Sequence, residues 1–231
     1  MAGLIAKKIG MTQVIGPNGQ LWPVTALQVE PQVVTEIINS EDHSYRAYKV
    51  GFGAVKSKHN NKSNEGYFKA LKLEPKKHLK EFRLRVGDDM TVEVGQTLSA
   101  EVFGEGNYVD VSGKSIGKSF QGVIKRWNCA RGPETHGSMS HRQVGSIGMS
   151  SDPSRTLKGQ SMPGHMGNVR RTTQNLLVVK IMKDDNLILV RGSVPGSNDN
   201  ILEVRTSFKK NAVNLEEKFG APKIAGKNKK K

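Results

Sequence analysis

The stretch from Asn128 to Asn168 constrains the fold most, because it is long and almost free of core-forming side chains. Its only Val, Ile or Leu residues are Val144, Ile147 and Leu157. Such a segment cannot bury enough apolar surface to offset an ordering entropy of about 1–2 kcal/mol per residue. Irregular segments this long are functional, ordered by a partner, or disordered. We expect a partner to order it; a disordered basic linker is the alternative.

Positive charge is concentrated in the same part of the chain. The whole sequence has 36 Lys and Arg against 21 Asp and Glu, a net charge of +15. Residues 112–171 contribute +8, whereas residues 1–111 contribute only +1 and residues 172–231 contribute +6. Residues 112–171 also hold 10 of the 25 glycines. A basic excess of this kind predicts a polyanionic partner, most often nucleic acid.

Composition excludes several other classes of protein. The 231 residues suffice for one or two domains with a modest core, since 35% are hydrophobic. No run of 18 apolar residues is present, so we expect no membrane-spanning helix and no membrane partner. The first residues lack the pattern of a secretory signal. The single cysteine, Cys129, excludes a disulfide scaffold and fits a reducing, cytosol-like compartment.

The flanking sequences predict a mainly β fold with short, turn-separated strands, typical of an antiparallel sheet or barrel. One helix is predicted over Asn64–Lys77, ended by Pro75. The clearest hairpin joins Gln174–Met182 to Leu187–Arg191 through a polar turn. The other predicted strands are Gly3–Ile9, Met11–Ile15, Leu21–Val29, Gln32–Ile38, Tyr45–Val55, Phe82–Val86, Met90–Val94, Tyr108–Val111 and Ile201–Thr206.

Catalytic and metal chemistry finds no support in the basic stretch. Gly113–Ser119 contains two Gly-Lys-Ser sequences, but the glycine that a phosphate-binding loop needs five residues earlier is missing in both. Cys129 has no second cysteine for a structural zinc site. Glu134 and Asp152 are the only carboxylates available for acid–base work. We therefore predict no enzyme, no metal, no cofactor and no small-molecule substrate.

The same stretch has the side chains that RNA binding needs. Lys125 and Arg126 precede Trp127, which combines phosphate-binding charge with an indole on which a base can stack. Glycines farther along the stretch allow close approach of the backbone to RNA, namely Gly145, Gly148, Gly159, Gly164 and Gly167. A solvated charge or a packed Trp is the alternative for each residue alone. The predicted RNA-binding residues are Lys114, Lys118, Lys125, Arg126, Trp127, Arg131, His136, His141, Arg142, Arg155, Lys158, His165, Arg170 and Arg171.

Several of these residues stand in motifs that resemble the ribosomal protein L3 family of the large subunit. The central motifs are Gly122–Trp127, Thr135–Ser138 with Ser140–Arg142, and Gly145–Gly148. Met162–Asn168 is similar to the family's Met-x-Gly-x-Met-Gly stretch, and Ala6–Thr12 to its N-terminal pattern. The resemblance runs from residue 3 to about residue 206 and is closest to the bacterial type.

The resemblance implies a translation-protein-type β-barrel with a small α-helical insertion and a long irregular basic extension. The barrel would comprise 1–124 and 169–208, with the insertion near 60–80. The extension would comprise 125–168, and 209–231 would be a basic, flexible tail. Gly148, Met149, Ser150, Ser151 and Asp152 would form the extension tip. Some bacterial members carry a methylated Gln there, and this chain has none at the tip.

The resemblance also implies a function. The chain would be a structural constituent of the large ribosomal subunit in the cytoplasm, binding large-subunit rRNA near its 3′ end beside neighbouring ribosomal proteins. It would support early assembly and send the extension toward the peptidyl-transferase centre. Two alternatives stay open: a non-ribosomal RNA-binding or RNA-chaperone protein, and a nucleotide-dependent enzyme using the Lys114–Ser119 turn.

Overall fold

The computed structural model describes residues 2–39, 45–84 and 92–215. The chain divides into two compact units. The barrel unit comprises residues 1–114 and 171–231, and the central unit comprises residues 115–170. Within the described ranges, no helix is both long and apolar enough to cross a membrane.

Short strands dominate, which confirms the mainly β prediction. The strands are β1 (Gly3–Ile15), β2 (Leu21–Gln28), β3 (Gln32–Ile38), β4 (Arg46–Ala54), β5 (Lys76–Leu84), β6 (Thr97–Leu98), β7 (Tyr108–Lys114), β8 (Phe120–Gln121), β9 (Gly164–His165), β10 (Arg170–Met182), β11 (Leu187–Arg191) and β12 (Ile201–Thr206). The α-helices are α1 (Lys62–Ala70) and α2 (Val123–Trp127), with 3-10 turns at Ser57–His59 and Ala100–Val102.

Six strands of the barrel unit close into a barrel in the order β1-β12-β7-β10-β11-β2. β1 is long enough to pair antiparallel with β12 through its first residues and with β2 from Lys7 onward. The register of β1 and β2 shifts between Lys8 and Gly10, which is the signature of a β-bulge. The bulge lets one continuous strand replace the two strands predicted on either side of Gly10.

A four-stranded sheet, in the order β5-β4-β3-β6, lies in the same unit. Two of its side chains bond the edge of β1 that β2 does not reach. The buried Gln32 amide accepts from Ile5 N–H at 2.9 Å and donates to Ile5 C=O at 2.6 Å. The Tyr48 hydroxyl accepts from Gly3 N–H at 2.6 Å and donates to Gly3 C=O at 2.8 Å. Side chains thus satisfy backbone groups that a neighbouring strand would otherwise pair.

Two hydrophobic clusters explain the consecutive apolar residues of β10. Leu176 and Val178 join the main cluster, whereas Leu177 and Val179 join a smaller cluster around the buried Trp22. Successive strand residues point to opposite faces, so a strand buried on both faces is apolar at every position. Residues 213 and 215, in the predicted flexible tail, also pack on the smaller cluster.

The boundaries of the predicted helix and of several strands need correction; β7 runs on to Lys114, and β10 already begins at Arg170. α1 ends at Ala70 instead of Lys77, because Lys72 adopts a positive φ of 57° and β5 then pairs with β4 from Lys76. β5 therefore begins six residues before the predicted strand at Phe82. Residues 92–94 form no strand, and the short β6 follows instead. Residues 90–91 and the Lys-rich end at 226–231 lie outside the described residues.

Candidate nucleic-acid interface

The central unit begins and ends with two segments that pair with each other. Ser115 N–H donates to Val169 C=O at 2.9 Å, and Lys118 N–H donates to Met166 C=O at 2.9 Å. β8 and β9 continue this pairing. Gly167 has a φ of +75°, and a Cβ there would overlap the backbone carbonyl of Ile116. Glycine is therefore required by both the conformation and the close approach of the two segments.

A second anchor holds the helix α2 to the chain that leads into β9. Arg126 Nη1 donates to the Met162 carbonyl at 2.8 Å, and Trp127 Nε1 donates to the same oxygen at 3.0 Å. The Arg126 guanidinium lies 5.2 Å from the centre of the Trp127 ring, within the range of a cation–π contact. The Trp127 side chain is still 48% exposed. We call Arg126, Trp127 and Met162 the neck cluster.

Beyond α2, local hydrogen bonds order the chain without a hydrophobic core. Gly132 N–H donates to His141 C=O at 3.0 Å, and Nδ1 of His141 lies 2.8 Å from the Pro133 carbonyl. His136 and Gly137 both have positive φ, 55° and 71°, as the central residues of a type I′ turn require. The small loop is therefore ordered by its backbone and leaves the His136 side chain exposed.

The predicted extension tip is exposed throughout. Residues 148–152 bury none of their side chains, and their fixed contacts are local. Ser146 Oγ donates to Gly148 C=O at 3.2 Å, and Ser154 Oγ donates to Ser151 C=O. Met149 is 70% exposed, and Met139, in the preceding loop, is 92% exposed. Both methionine side chains are therefore open to contact by a partner.

Most of the positive charge in the central unit is unpaired. Residues 115–170 contain eight Lys and Arg against two acidic residues. Arg131 forms an ion pair with Glu134. Among residues 115–170, all of which the structure describes, five exposed cations have neither an ion pair nor a hydrogen-bonded side chain: Lys118, Lys125, Arg142, Arg155 and Lys158. Like charges held together without counterions favour binding of a polyanion.

The structure separates the predicted RNA-binding residues into groups. Twelve of the fourteen lie in the central unit, while Lys114 and Arg171 lie at its two junctions with the barrel unit. Arg126 and Trp127 belong to the neck cluster, and His165 is exposed in β9.

The Met162 backbone carbonyl, which accepts from both Arg126 and Trp127, was not predicted as an anchor. Pro163 follows it, and a residue before proline is held extended, which is the one signal in the sequence.

The geometry leaves little basis for the catalytic alternatives. The backbone N–H groups of Ser115 and Lys118 are already bonded within the paired segments, so they cannot wrap a nucleotide phosphate. Cys129 is exposed. No group of three or more metal-ligating His, Cys, Asp or Glu side chains occurs in the residues that the structure describes.

Comparison with known proteins agrees with the motifs. The family model described as Ribosomal protein L3 matches residues 81–219 of the chain. The large ribosomal subunit protein uL3 of Brachyspira hyodysenteriae is 47% identical over 210 residues, which cover 91% of this chain and 96% of that protein. The family-model match includes residues of both units. The resemblance seen in the sequence is therefore confirmed, and the chain belongs to the ribosomal protein L3 family.

Proposed function

We propose that the chain is a structural constituent of the large ribosomal subunit whose central unit binds large-subunit rRNA. The observation that carries the proposal is the set of five exposed, unpaired cations on a segment with almost no core of its own. A polyanion would supply both the counterions and the covering surface that this segment lacks. The family is a structural one and not a family of enzymes.

The finer assignments follow the family resemblance. The six-stranded barrel is the translation-protein-type domain, α1 with its flanking turns is the helical insertion, and residues 125–168 are the extension. The extension reaches toward the peptidyl-transferase centre, and its effect on peptide transfer is indirect, through positioning of RNA. The protein binds near the 3′ end of the rRNA early in assembly, beside neighbouring ribosomal proteins, in the cytoplasm. The paired segments and the neck cluster keep the two ends of the extension together.

The size of the electrostatic contribution follows from the unpaired cations. Each phosphate contact contributes a slope of about −0.7 to −0.9 to the dependence of log affinity on log salt. If each of the five cations contacts one phosphate, they supply together a slope of about −3.5 to −4.5. Equilibrium binding across a salt series measures this slope directly.

The test is binding of the full chain to fragments of large-subunit rRNA, with excess transfer RNA as competitor. Binding to a 3′-region fragment that survives competition at near-physiological salt supports the proposal. Arg142→Gln combined with Arg155→Gln should weaken that binding and make the slope shallower by about 1.4–1.8. The matched control, Lys180→Gln with Lys209→Gln, removes the same charge from exposed positions of the barrel unit and should change little. Equal binding to all RNAs would favour the non-ribosomal RNA-chaperone alternative.

A further inference from the structure

A second concentration of positive charge lies in the barrel unit, outside the central unit. Residues 56–77 contain seven lysines and two glutamates. These seven are half of the fourteen basic residues in residues 1–111, and the other residues of that range are net acidic, with seven basic and eleven acidic side chains. The charge is thus confined to one short segment of an otherwise acidic region.

An open groove of about 940 Å³ is built on this segment. The 3-10 turn after β4, the start of α1 and the first residues of β5 form its walls, and polar or basic side chains predominate along it. A second, smaller cavity adjoins it and shares Ala54 and Lys77 with it. We call the larger of the two the lysine groove and define it by Lys49, Lys56, His59, Asn60, Asn64 and Lys77.

The cations of the groove differ in how firmly they are already held. Lys49 is paired with Glu36 at 3.3 Å and lies 5.2 Å from the centre of the Tyr67 ring. Lys56 and Lys77 are exposed, and neither has an ion pair among the described residues. Asn64 Nδ2 donates to Asn60 Oδ1 at 3.1 Å, which fixes both amides on one wall. Two free ammonium groups thus stand beside an ordered, uncharged polar wall.

We propose that the lysine groove binds the sugar–phosphate backbone of an RNA strand, as a second RNA contact independent of the central unit. Lys56 and Lys77 would each meet a phosphate, while the amides of Asn60 and Asn64 offer donors and acceptors to ribose hydroxyls. The inference goes beyond the proposed function, because that function rests on residues 115–170 alone.

The exposed side chains favour RNA over a protein partner. The centre of a protein–protein interface is enriched in apolar and aromatic residues and poor in charge. In the described residues from 22 to 84, no large hydrophobic side chain is strongly exposed. Tyr67, which borders the groove, is partly buried against Phe68 and beneath Lys49. Apolar lining comes from Ala54, Val55 and Leu79 and from the stems of long side chains, whereas the only charged groups among the lining residues are lysines, and this positive charge matches a polyanion.

Lysine acylation of the full chain, with and without large-subunit rRNA, tests the proposal residue by residue. Peptide mass spectrometry reads each lysine separately. We expect rRNA to protect Lys56 and Lys77 while Lys69 and Lys72, exposed in the same segment, stay reactive. Reactive Lys56 and Lys77 in the bound complex would overturn the proposal. Protection in the central unit is read from Lys118, Lys125 and Lys158, so failure of one interface is distinguished from failure of the other.

A pair of matched variants separates the groove from the general charge of the segment. Lys56→Gln with Lys77→Gln should make the salt slope of rRNA binding shallower by about 1.4–1.8. Lys69→Gln with Lys72→Gln removes the same charge outside the groove and should leave the slope unchanged. Equal effects of the two pairs would show that only long-range charge matters and would refute the groove. Urea midpoints within error of the parent chain establish that both variants are folded.

Discussion

Replacing Trp127 tests whether the neck cluster holds the central unit together or presents an aromatic surface to RNA. The indole has both possibilities, because about half of it is covered and 48% is exposed. Its Nε1–H bond to the Met162 carbonyl belongs to the folded protein. Its exposed face is available for a base. Phe and Ala substitutions remove these contributions in different combinations.

Trp127→Phe removes the hydrogen bond and keeps an aromatic face. The Met162 carbonyl still accepts a hydrogen bond from Arg126, so it is not left without a partner. The free energy of opening around α2 should fall by about 0.5–1 kcal/mol. Trp127→Ala also removes the covered half of the ring. A fully buried aromatic side chain contributes about 150–250 Å², so roughly 80–130 Å² is lost here. At about 25 cal/mol per Å² this is about 2–3 kcal/mol.

Hydrogen exchange of the peptides around α2 measures the effect on the free protein. Arg126 N–H donates to Gly122 C=O at 3.0 Å and reports opening of the helix. We expect exchange to accelerate a few-fold in the Phe variant and about 60- to 700-fold in the Ala variant, which loses both the hydrogen bond and the covered area, if opening limits exchange. Exchange that is unchanged in the Ala variant would refute the anchoring role of Trp127.

Affinity for the 3′-region rRNA fragment measures the second contribution. Stacking of one base is worth about 1–3 kcal/mol by alanine substitution, so Trp127→Ala should weaken binding about 5- to 150-fold. Phe retains a stacking face and should bind within a few-fold of the parent chain. If the Ala variant binds rRNA as tightly as the parent, Trp127 does not stack on RNA. If Phe and Ala lose affinity equally, the indole N–H matters and the ring face does not.

Three further substitutions test separate parts of the structure. Gln32→Leu leaves both backbone groups of Ile5 without partners and should lower the free energy of unfolding by about 2–6 kcal/mol in urea titration; a loss below about 1 kcal/mol would contradict the bridging role. Partial burial lowers the pKa of His78 below its ordinary 6.5, and the charge of the neighbouring Lys77 lowers it further. The contribution of neutral His78 to stability is therefore present above pH 6.5 and is lost as the pH falls from 6.5 through the folded-state pKa. His78→Gln should reduce the fall of the urea unfolding midpoint below pH 6.5. An unchanged fall would mean that other groups cause it. Gly167→Ala forces a side chain into positive φ against the Ile116 carbonyl and should destabilise the paired segments by at least about 1–2 kcal/mol, seen as faster exchange at 115–119 with an unchanged barrel unit.

Strands that are enclosed by turn-forming residues were predicted with the correct boundaries. The bounds of β3, β11 and β12 match the prediction because turn residues enclose β-branched runs. The helix was predicted too long because most residues of Lys72–Lys77 favour helix, whereas the pairing of Lys76 with Ala54 begins strand β5 at Lys76. This pairing joins residues 22 positions apart, which no local propensity encodes.

The candidate interface was predictable in composition and not in arrangement. Charge and missing apolar residues located it, and the motifs identified its family. The neck cluster depends on a contact between residues 35 and 36 positions apart, with a backbone carbonyl as acceptor. A carbonyl is present in every residue, and although Pro163 marks the residue before it as extended, nothing in the sequence shows which side chains that carbonyl meets. Lys56 and Lys77 likewise become neighbours of one groove only after β4 and β5 pair.

The pairing of β1 with β12 has a consequence for how the chain acquires its structure during synthesis. The barrel needs a strand made first and a strand made last, so it cannot close until about 190 residues after β1 has been translated. At 5–20 residues per second this is a wait of roughly 10–40 s. During that time the basic central segment leaves the translating ribosome before the barrel is complete. The segment that we propose to bind RNA thus leaves the ribosome before its own scaffold has formed.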